Sequence, residues 1–206
     1  APSRRIYVCG ASLSSTSVAV YYRNVDTDRF DAFTLGYNIT LRQAMHSSDS
    51  SGLAMVSLYD GTCLLIARNT NATDFDVYRS TDPTTNNWSL ISRDILSRFL
   101  GGTVAQGTRL QIRAAASGDF IRLCFLQPAG NVTIDGVIRY ASTLRTLVSQ
   151  DRGATWTEAG SPGVVIGFLG FSDDYIPFDI CGVGDTGNFV VASTQYYPPP
   201  TYTTPN

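Results

Sequence analysis

Short apolar runs alternate with polar turns along nearly the whole chain, at a spacing of about ten residues. Runs such as RIYVCGA (residues 5–11) and CLLIAR (residues 63–68) are short apolar stretches bounded by polar turns, which is typical of strands. Helical periodicity is confined to SRDILSRFLGG (residues 92–102), where Ser92 is a suitable cap and Gly101 a stop. The pattern therefore predicts an all-β sandwich, barrel or propeller.

The predicted strands form groups that resemble one another. Residues 52–92 and 110–160 each contain two apolar strands, a longer connection, a third strand, a Ser-x-Asp turn and a strand with tryptophan. The connection at residues 131–143 is expected to be a loop, and residues 6–33 and 178–194 look like partial copies. Four strands per unit and a period of about 40 to 50 residues are typical of propeller blades. We expect a propeller-like set of antiparallel four-stranded units, with a β-sandwich or barrel of a viral or extracellular surface protein as the alternative.

One turn carries a recognisable spacing, SQDRGATW, at Ser149, Asp151, Gly153, Thr155 and Trp156. It resembles the Asp-box, the S-x-D-x-G-x-T-W repeat of the sialidase-like (BNR-repeat) β-propeller superfamily. A degenerate copy, STDPTTNNW, with one inserted residue and asparagine in place of glycine, keeps Ser80, Asp82 and Trp88. The resemblance covers about residues 52–160 and implies a propeller built from such units.

The box residues are expected to stabilise the fold and not to form a reactive site. Gly153 permits a tight turn through a positive φ, and the Asp151 carboxylate accepts backbone hydrogen bonds within that turn. Trp156 packs its ring between neighbouring sheets. In the family these boxes lie on the outer rim of the propeller, away from the active site.

The resemblance also raises the question of sialidase-like glycoside hydrolase activity. Such enzymes use three arginines, an acidic acid/base and a tyrosine nucleophile activated by a glutamate, on five or six blades. Here Arg5-Ile6 is followed by Tyr7 where the family has proline, and Glu158, the single glutamate, directly follows the box. The strands suffice for roughly three and a half blades. We therefore expect no catalytic residues and no enzyme activity.

Composition narrows the classes of partner. The chain has 206 residues, of which 43% are hydrophobic and 16% charged, and 15 arginines without lysine leave a formal net charge of −2. This charge gives no attraction to nucleic acid or to an anionic membrane. Apolar runs stay far below the roughly 20 residues of a membrane-spanning helix, so neither nucleic-acid binding nor membrane insertion is expected.

Metal and cofactor sites are not predicted. His46 is the single histidine, and the cysteines form no C-x-x-C pair, so the local ligand pairs typical of zinc sites are missing. One hypothesis is that His46 acts as a base, and another is that the Asp173-Asp174-Tyr175 stretch binds calcium. In both cases we favour an ordinary solvated loop.

Glycosylation sequons favour a secreted or surface-displayed protein. Four N-x-S/T sequons occur in turn-like sequence, at Asn38, Asn71, Asn87 and Asn131. An extracellular, cell-surface or virion-surface location follows as an expectation.

In that oxidising setting the cysteines are expected to form disulfides. Cys9 and Cys181 lie in strands of similar pattern near opposite ends of the domain, which become neighbours in a closed β-structure. We therefore expect a Cys9–Cys181 bridge. Cys63 and Cys124, each on the second strand of its group, either pair or remain buried thiols.

Several aromatic residues are candidates for stacking on sugar rings, namely Tyr21, Tyr22, Tyr37 and Trp88. Aromatic residues in strands are ordinarily core residues, so both interpretations stay open. The end of the chain, with three consecutive prolines, predicts an extended tail at residues 196–206 after one domain at residues 1–195.

These features predict a non-enzymatic glycoprotein that acts as an attachment, glycan-binding or assembly module. Its expected partners are glycans, further copies of itself in a homo-oligomer or filament, or both. The first alternative is a structural subunit of an extracellular filament or of a virus shell or spike. The second is a sialidase-like glycoside hydrolase.

Overall fold

The computed structural model describes residues 4–11, 15–30, 32–44, 52–68, 74–96, 112–134, 137–159, 165–167 and 178–193. None of these residues forms a helix, and so none forms a helix long and apolar enough to cross a membrane. The tail expected at residues 196–206 lies outside the described residues.

The described strands form four antiparallel sheets, each built from strands that are consecutive in the sequence. Sheet A contains β1 (Arg5–Ala11), β2 (Ser17–Asn24) and β3 (Thr34–Thr40). Sheet B contains β4 (Leu53–Ser57), β5 (Cys63–Arg68), β6 (Phe75–Ser80) and β7 (Ser89–Ser92). Sheet C contains β8 (Ile112–Ser117), β9 (Phe120–Ile134), β10 (Val137–Ser149) and β11 (Thr157–Glu158), with β12 (Val165–Gly167) also paired to β10. Sheet D contains β13 (Phe178–Val183) and β14 (Asn188–Ser193).

The sheets stack face to face in the order A, B, C, D. The first strand of each sheet contacts the first strand of the next, β1 with β4, β4 with β8 and β8 with β13. Within each sheet the main strands pair in chain order, as in a propeller blade. The expected all-β architecture of propeller-like antiparallel units is therefore confirmed.

Three apolar layers fill the spaces between the sheets. The A–B layer contains Val18, Val20, Ile39, Leu65 and Tyr78. The B–C layer contains Leu64, Ile66, Phe75, Phe125 and Trp156. The C–D layer contains Cys124, Leu144, Phe178 and Ile180. Because sheet B is covered on both faces, every residue of β5 is buried, which explains why CLLIAR is a continuous apolar run.

The helix expected at residues 92–102 is not formed in its described part. Ser92 ends strand β7, and Asp94 has a φ of 48°, in the left-handed region that interrupts a right-handed helix. Ile95 and Leu96 are instead buried in the B–C layer. Residues 97–102 lie outside the described residues.

The prediction of a loop at residues 131–143 is also wrong. Strands β9 and β10 pair along their whole length, from Ile121 opposite Ser149 to Ile134 opposite Val137. One irregularity, beside Ser142, interrupts this register. The second unit therefore contains a long two-stranded hairpin, whose β10 also pairs with β12.

The prediction of a Cys9–Cys181 disulfide is wrong, since all four cysteines are free thiols. Cys9 packs against the A–B layer, whereas Cys181 is exposed on sheet D, so sheets B and C separate the two. Packed sheets lie about 10 Å apart, and a disulfide needs Cβ atoms about 4 Å apart. Cys63 and Cys124 are unpaired for the same reason, because Cys124 lies in the C–D layer and Cys63 shares a face of β5 with Leu65 of the A–B layer.

Thiol titration under native conditions, at a protein concentration low enough to keep the chain monomeric, is expected to reveal one fast-reacting cysteine, Cys181, which is exposed on sheet D. Burial raises the pKa of Cys9 to about 11 and that of Cys124 to about 12, and it also raises the pKa of Cys63. These three thiols should react with an aromatic disulfide reagent only slowly or after denaturation. Cys181→Ser should remove the fast phase. Finding fewer than four free thiols after denaturation without reductant would contradict this assignment.

Candidate functional site

The turn at residues 149–156, named the C box turn, is closed by its own side chains. The Ser149 hydroxyl donates to the Asp151 carboxylate at 2.8 Å and accepts the Gly153 N–H at 2.8 Å. The same carboxylate accepts the Thr155 N–H at 2.8 Å and the Thr155 hydroxyl at 2.6 Å. Gly153 has a φ of 87°, and the Trp156 Nε1 donates to its carbonyl at 3.0 Å. The five residues with the box spacing thus form one hydrogen-bonded unit between β10 and β11.

The turn at residues 80–88, named the B box turn, repeats this arrangement between β6 and β7. The Asp82 N–H donates to the Ser80 hydroxyl at 3.1 Å, and the Asp82 carboxylate accepts the Thr84 N–H at 3.2 Å and the Thr84 hydroxyl at 2.7 Å. The Trp88 Nε1 donates to the Pro83 carbonyl at 3.3 Å. The inserted residue thus moves tryptophan along the chain without removing its bond to the turn.

The C box turn also joins sheet C to sheet B. A Cβ at Gly153 would overlap the Leu64 side chain of sheet B, so the turn lies directly on the B–C layer. The neighbouring Arg152 guanidinium donates to Asp60, in the β4–β5 turn, at 2.7 Å and to Asp119, in the β8–β9 turn, at 2.8 Å. The box therefore holds two sheets together as well as two strands.

Asp151→Ala is expected to lower the free energy of unfolding by about 1–2 kcal/mol, because the turn loses three hydrogen bonds to one carboxylate. Partial burial alone would raise the pKa of Asp151, but the hydrogen bonds from Thr155 and Ser149 outweigh it and lower the pKa. This contribution is thus present above the unfolded pKa of about 4 and is lost as the pH falls through the folded value.

Denaturant unfolding from pH 7 to pH 3 measures this effect. The difference between wild type and Asp151→Ala should shrink at the acidic end, whereas Asp185→Ala, in the exposed β13–β14 turn, should stay close to wild type throughout. A difference that is unchanged at pH 3 would show that the ionised carboxylate is not what holds the turn.

The candidate binding site is an open cleft between sheets A and B. It has a volume of about 390 Å³ and is lined by Tyr37, Ile39, Thr40, Leu41, Arg42, Tyr78, Asn86, Trp88 and Leu90. β3 supplies one wall, and the other comes from β6, β7 and the B box turn. Gly36 lies against this turn, where an added Cβ would come within 3.1 Å of the Thr84 Cα. This close packing places Tyr37 and Trp88 in the same cleft.

The cleft has a charged edge that is internally compensated. The Arg42 guanidinium donates twice to Asp76 at 2.9 Å and once to Asp94 at 2.7 Å. The hydrogen bond to Asp76 is the main cause of the raised pKa of Arg42. The Arg42 N–H donates to the Tyr78 hydroxyl at 2.6 Å, and burial raises the pKa of Tyr78. Arg42 therefore remains a cation, bound by two carboxylates.

The other aromatic candidates lie outside this cleft. Tyr21 lies on the face of sheet A that points away from sheet B, and Arg5 stacks on the Tyr22 ring at 5.1 Å. Of the four candidates for stacking, the structure therefore brings two together, Tyr37 and Trp88.

The structure bears on three of the four sequons expected in surface loops. Asn38 is exposed but lies in strand β3, and Asn131 lies in strand β9. Asn87 is exposed in the B box turn, where its Nδ2 donates to the Thr81 hydroxyl at 2.7 Å. Asn71 lies outside the described residues. Two of the four sequons are therefore in strands.

The residues weighed for sialidase chemistry are not brought together. Arg5 lies on β1 of sheet A and donates to the Asn24 side chain at 3.1 Å. Glu158 lies on β11 of sheet C, where its carboxylate accepts the Arg145 Nε at 2.8 Å. His46 and residues 173–175 lie outside the described residues. Within the described part of the chain, no cluster of metal-ligating side chains occurs.

Comparison of the chain with protein-family models and with curated proteins finds no match. The resemblance to Asp-box propellers therefore depends on the spacing of the box residues and on the hydrogen bonds of the two turns.

Proposed function

We propose that this protein is a non-enzymatic attachment module that binds glycans in the cleft between sheets A and B. The observation that carries the proposal is the placement of Tyr37 and Trp88, from different sheets, in one open cleft with the exposed Asn86 at its rim. Aromatic rings pack against the C–H face of a sugar ring, and an asparagine amide both donates to and accepts from its hydroxyls.

The size of the cleft supports a short glycan segment as the ligand. Its volume of about 390 Å³ lies near the lower end of the range of small-molecule sites, about 300–1,000 Å³. The cleft is open to solvent, as is needed for a ligand that continues beyond the site. Two contacts hold the Trp88 ring in place before binding: its Nε1 donates to the Pro83 carbonyl, and the ring packs against the A–B layer.

The charges at the cleft favour neutral over sialylated glycans. Arg42 is the one cation among the described lining residues, and Asp76 and Asp94 already bind it. The exposed Arg93 is a second cation near the cleft, and its charge also acts on Tyr78. The formal charges of Arg42, Arg93, Asp76 and Asp94 therefore add up to zero. A glycan carboxylate therefore gains no net attraction here.

The sequons support an extracellular or virion-surface location in this proposal. Asn87, exposed beside Trp88, would place any attached glycan next to the cleft. A structural subunit of a filament or shell remains the second candidate, which the free outer faces of sheets A and D favour.

Glycan-array binding followed by calorimetry tests the proposal. Wild type should retain a subset of neutral oligosaccharides, and Trp88→Ala should weaken that binding at least about tenfold, a loss of 1.4 kcal/mol. Tyr22→Ala is the control, because Tyr22 is an aromatic residue of sheet A that does not line the cleft. The proposal fails if wild type binds no glycan, or if both variants lose binding equally.

A further inference from the structure

The outer face of sheet A, which points away from sheet B, carries uncovered apolar side chains. Val8 pairs with Tyr21, and Tyr21 with Leu35, so the three lie side by side across the sheet. Val8 is 47% exposed and Leu35 49%, and the neighbouring Ile6 is 42% exposed. The opposite faces of the same strands are buried in the A–B layer. A contiguous exposed apolar face of this kind is typical of an interaction surface.

The outer face of sheet D is the counterpart at the other end of the stack. Phe178 and Ile180 point into the C–D layer, while Val183 is 47% exposed and Val190 54%. Side chains alternate between the two faces of a strand, so Asp179 and Cys181 lie on the same outer face as Val183. The stack therefore ends in a partly apolar face on each side.

The sheet-to-sheet contacts within the chain show what such faces bind. We call the face of a sheet that points towards the preceding sheet its front face, and the opposite face its rear face. Each of the three layers joins the rear face of one sheet to the front face of the next sheet in the stack. Sheet A presents a front face without a preceding sheet, and sheet D presents a rear face without a following one. We propose that a second copy of this chain places the outer face of its sheet D on the outer face of sheet A.

Charge favours this head-to-tail pairing over the pairing of two identical faces. The outer face of sheet A carries Arg23, which is 7% exposed beneath the Phe30 ring and whose Nε has no hydrogen-bond partner among the described residues. No strand residue of that face is acidic, and no strand residue of the outer face of sheet D is basic. Pairing of sheet A with sheet D therefore joins opposite charges.

The positions of the two charges agree with this pairing. Arg23 is opposite Ile6, the second residue of β1, and Asp179 is the second residue of β13. Both charges therefore lie near the start of the first strand of their sheets. The resulting interface is heterologous, so repeated contacts close into a ring or continue as a filament.

Light scattering coupled to gel filtration of the full 206-residue chain tests the inference. Wild type should have a mass of at least twice the 22.3 kDa of one chain, and Val8→Asp or Val190→Asp alone should be monomeric. An equimolar mixture of the two variants should form a dimer and nothing larger, because only one intact pair of faces remains. Tyr59→Asp, in the exposed β4–β5 turn and on neither face, should assemble like wild type.

Three results would overturn the inference. The first is a wild-type monomer at the highest soluble concentration, and the second is loss of assembly in only one of the two variants, which indicates pairing of identical faces. The third is a mixture that stays monomeric. Circular dichroism checks that each variant is folded, and the exposed Asp179→Arg, which should also be monomeric, replaces Val190→Asp if that variant unfolds.

Discussion

Gly182→Ala is expected to detach sheet D from sheet C and to lower the free energy of unfolding by about 3 kcal/mol. A Cβ at Gly182 would overlap the carbonyl oxygen of Ala116 and would lie 2.7 Å from its carbonyl carbon. Because both atoms belong to the backbone of β8, no rotation of a side chain can relieve the overlap. The C–D layer is the smallest of the three, with Cys124, Leu144, Phe178 and Ile180 as its buried residues.

The Ser117 hydroxyl shows how close this approach is. It lies 3.2 Å from the Val183 carbonyl and 3.1 Å from the Gly184 carbonyl, and it accepts the Gly187 N–H at 3.0 Å. All of these hydrogen bonds require β13 to stay next to β8. Loss of the approach therefore removes them together with the apolar contacts.

Gly10→Ala is the matched control, since Gly10 also lies in the first strand of a sheet and an added Cβ has no neighbour within 4 Å. Thermal unfolding should show a lower midpoint for Gly182→Ala only, and hydrogen exchange should show faster exchange in β13 and β14. In addition, Cys124 should become reactive, since sheet D covers it. An unchanged midpoint for Gly182→Ala would mean that sheet D packs elsewhere.

Asp76→Ala is the second substitution with a large expected effect, a loss of about 3 kcal/mol. Asp76 is 2% exposed, and its carboxylate binds the Arg42 guanidinium and accepts the Asp94 N–H at 3.3 Å. Removing it leaves a largely covered cation and a backbone donor without their acceptor, and the breaking of a buried pair typically costs about 3–5 kcal/mol. The lower figure applies because Arg42 keeps some contact with water and with Asp94.

Asp94→Asn separates the buried carboxylate from the exposed one, since asparagine keeps the tolerance for the left-handed backbone at this position. The Asp94 side chain is 47% exposed and binds the same guanidinium, so removal of its charge should cost less than about 1 kcal/mol. Urea unfolding of the two variants in parallel measures the difference. Equal losses would show that exposure does not decide the strength of these ion pairs.

Strands with a clear local signal were predictable from sequence. The predicted segments at residues 5–11 and 63–68 are strands with those boundaries, since each is an apolar run between polar turns. The likeness of the β1 and β13 segments is also real, because each begins a sheet. Sequence likeness alone does not reveal how far apart two such strands lie, and the predicted disulfide failed for that reason.

The β9–β10 hairpin was missed because its residues have turn-like character. Pro128 has no N–H to donate, and Gly130 and Asn131 are typical of loops. The pairing of Ser142 with Pro128 and of Ala141 with Gly130 leaves Ala129 as an extra residue, a bulge that accommodates the proline. Such pairing depends on the partner strand, which a local pattern does not include.

The candidate cleft was only partly predictable. Tyr37 and Trp88 stand out as aromatic residues in the sequence, but their meeting depends on the stacking of two sheets. Arg42, Asp76 and Asp94 carried no motif, because the groups that meet are 34 and 52 residues apart from Arg42.

Among the residues that the structure describes, the three apolar layers join each sheet to its neighbours in the stack, as in a linear array. In such an array, each unit is stabilised by its own pairing and by the interfaces it shares. Sheets B and C, with two interfaces each, form the most stable region, whereas sheets A and D have one each and unfold at lower free energy. Opening therefore proceeds from the ends inward. The cleft, at the boundary between an end unit and the centre, lies where local opening changes the distance between its walls.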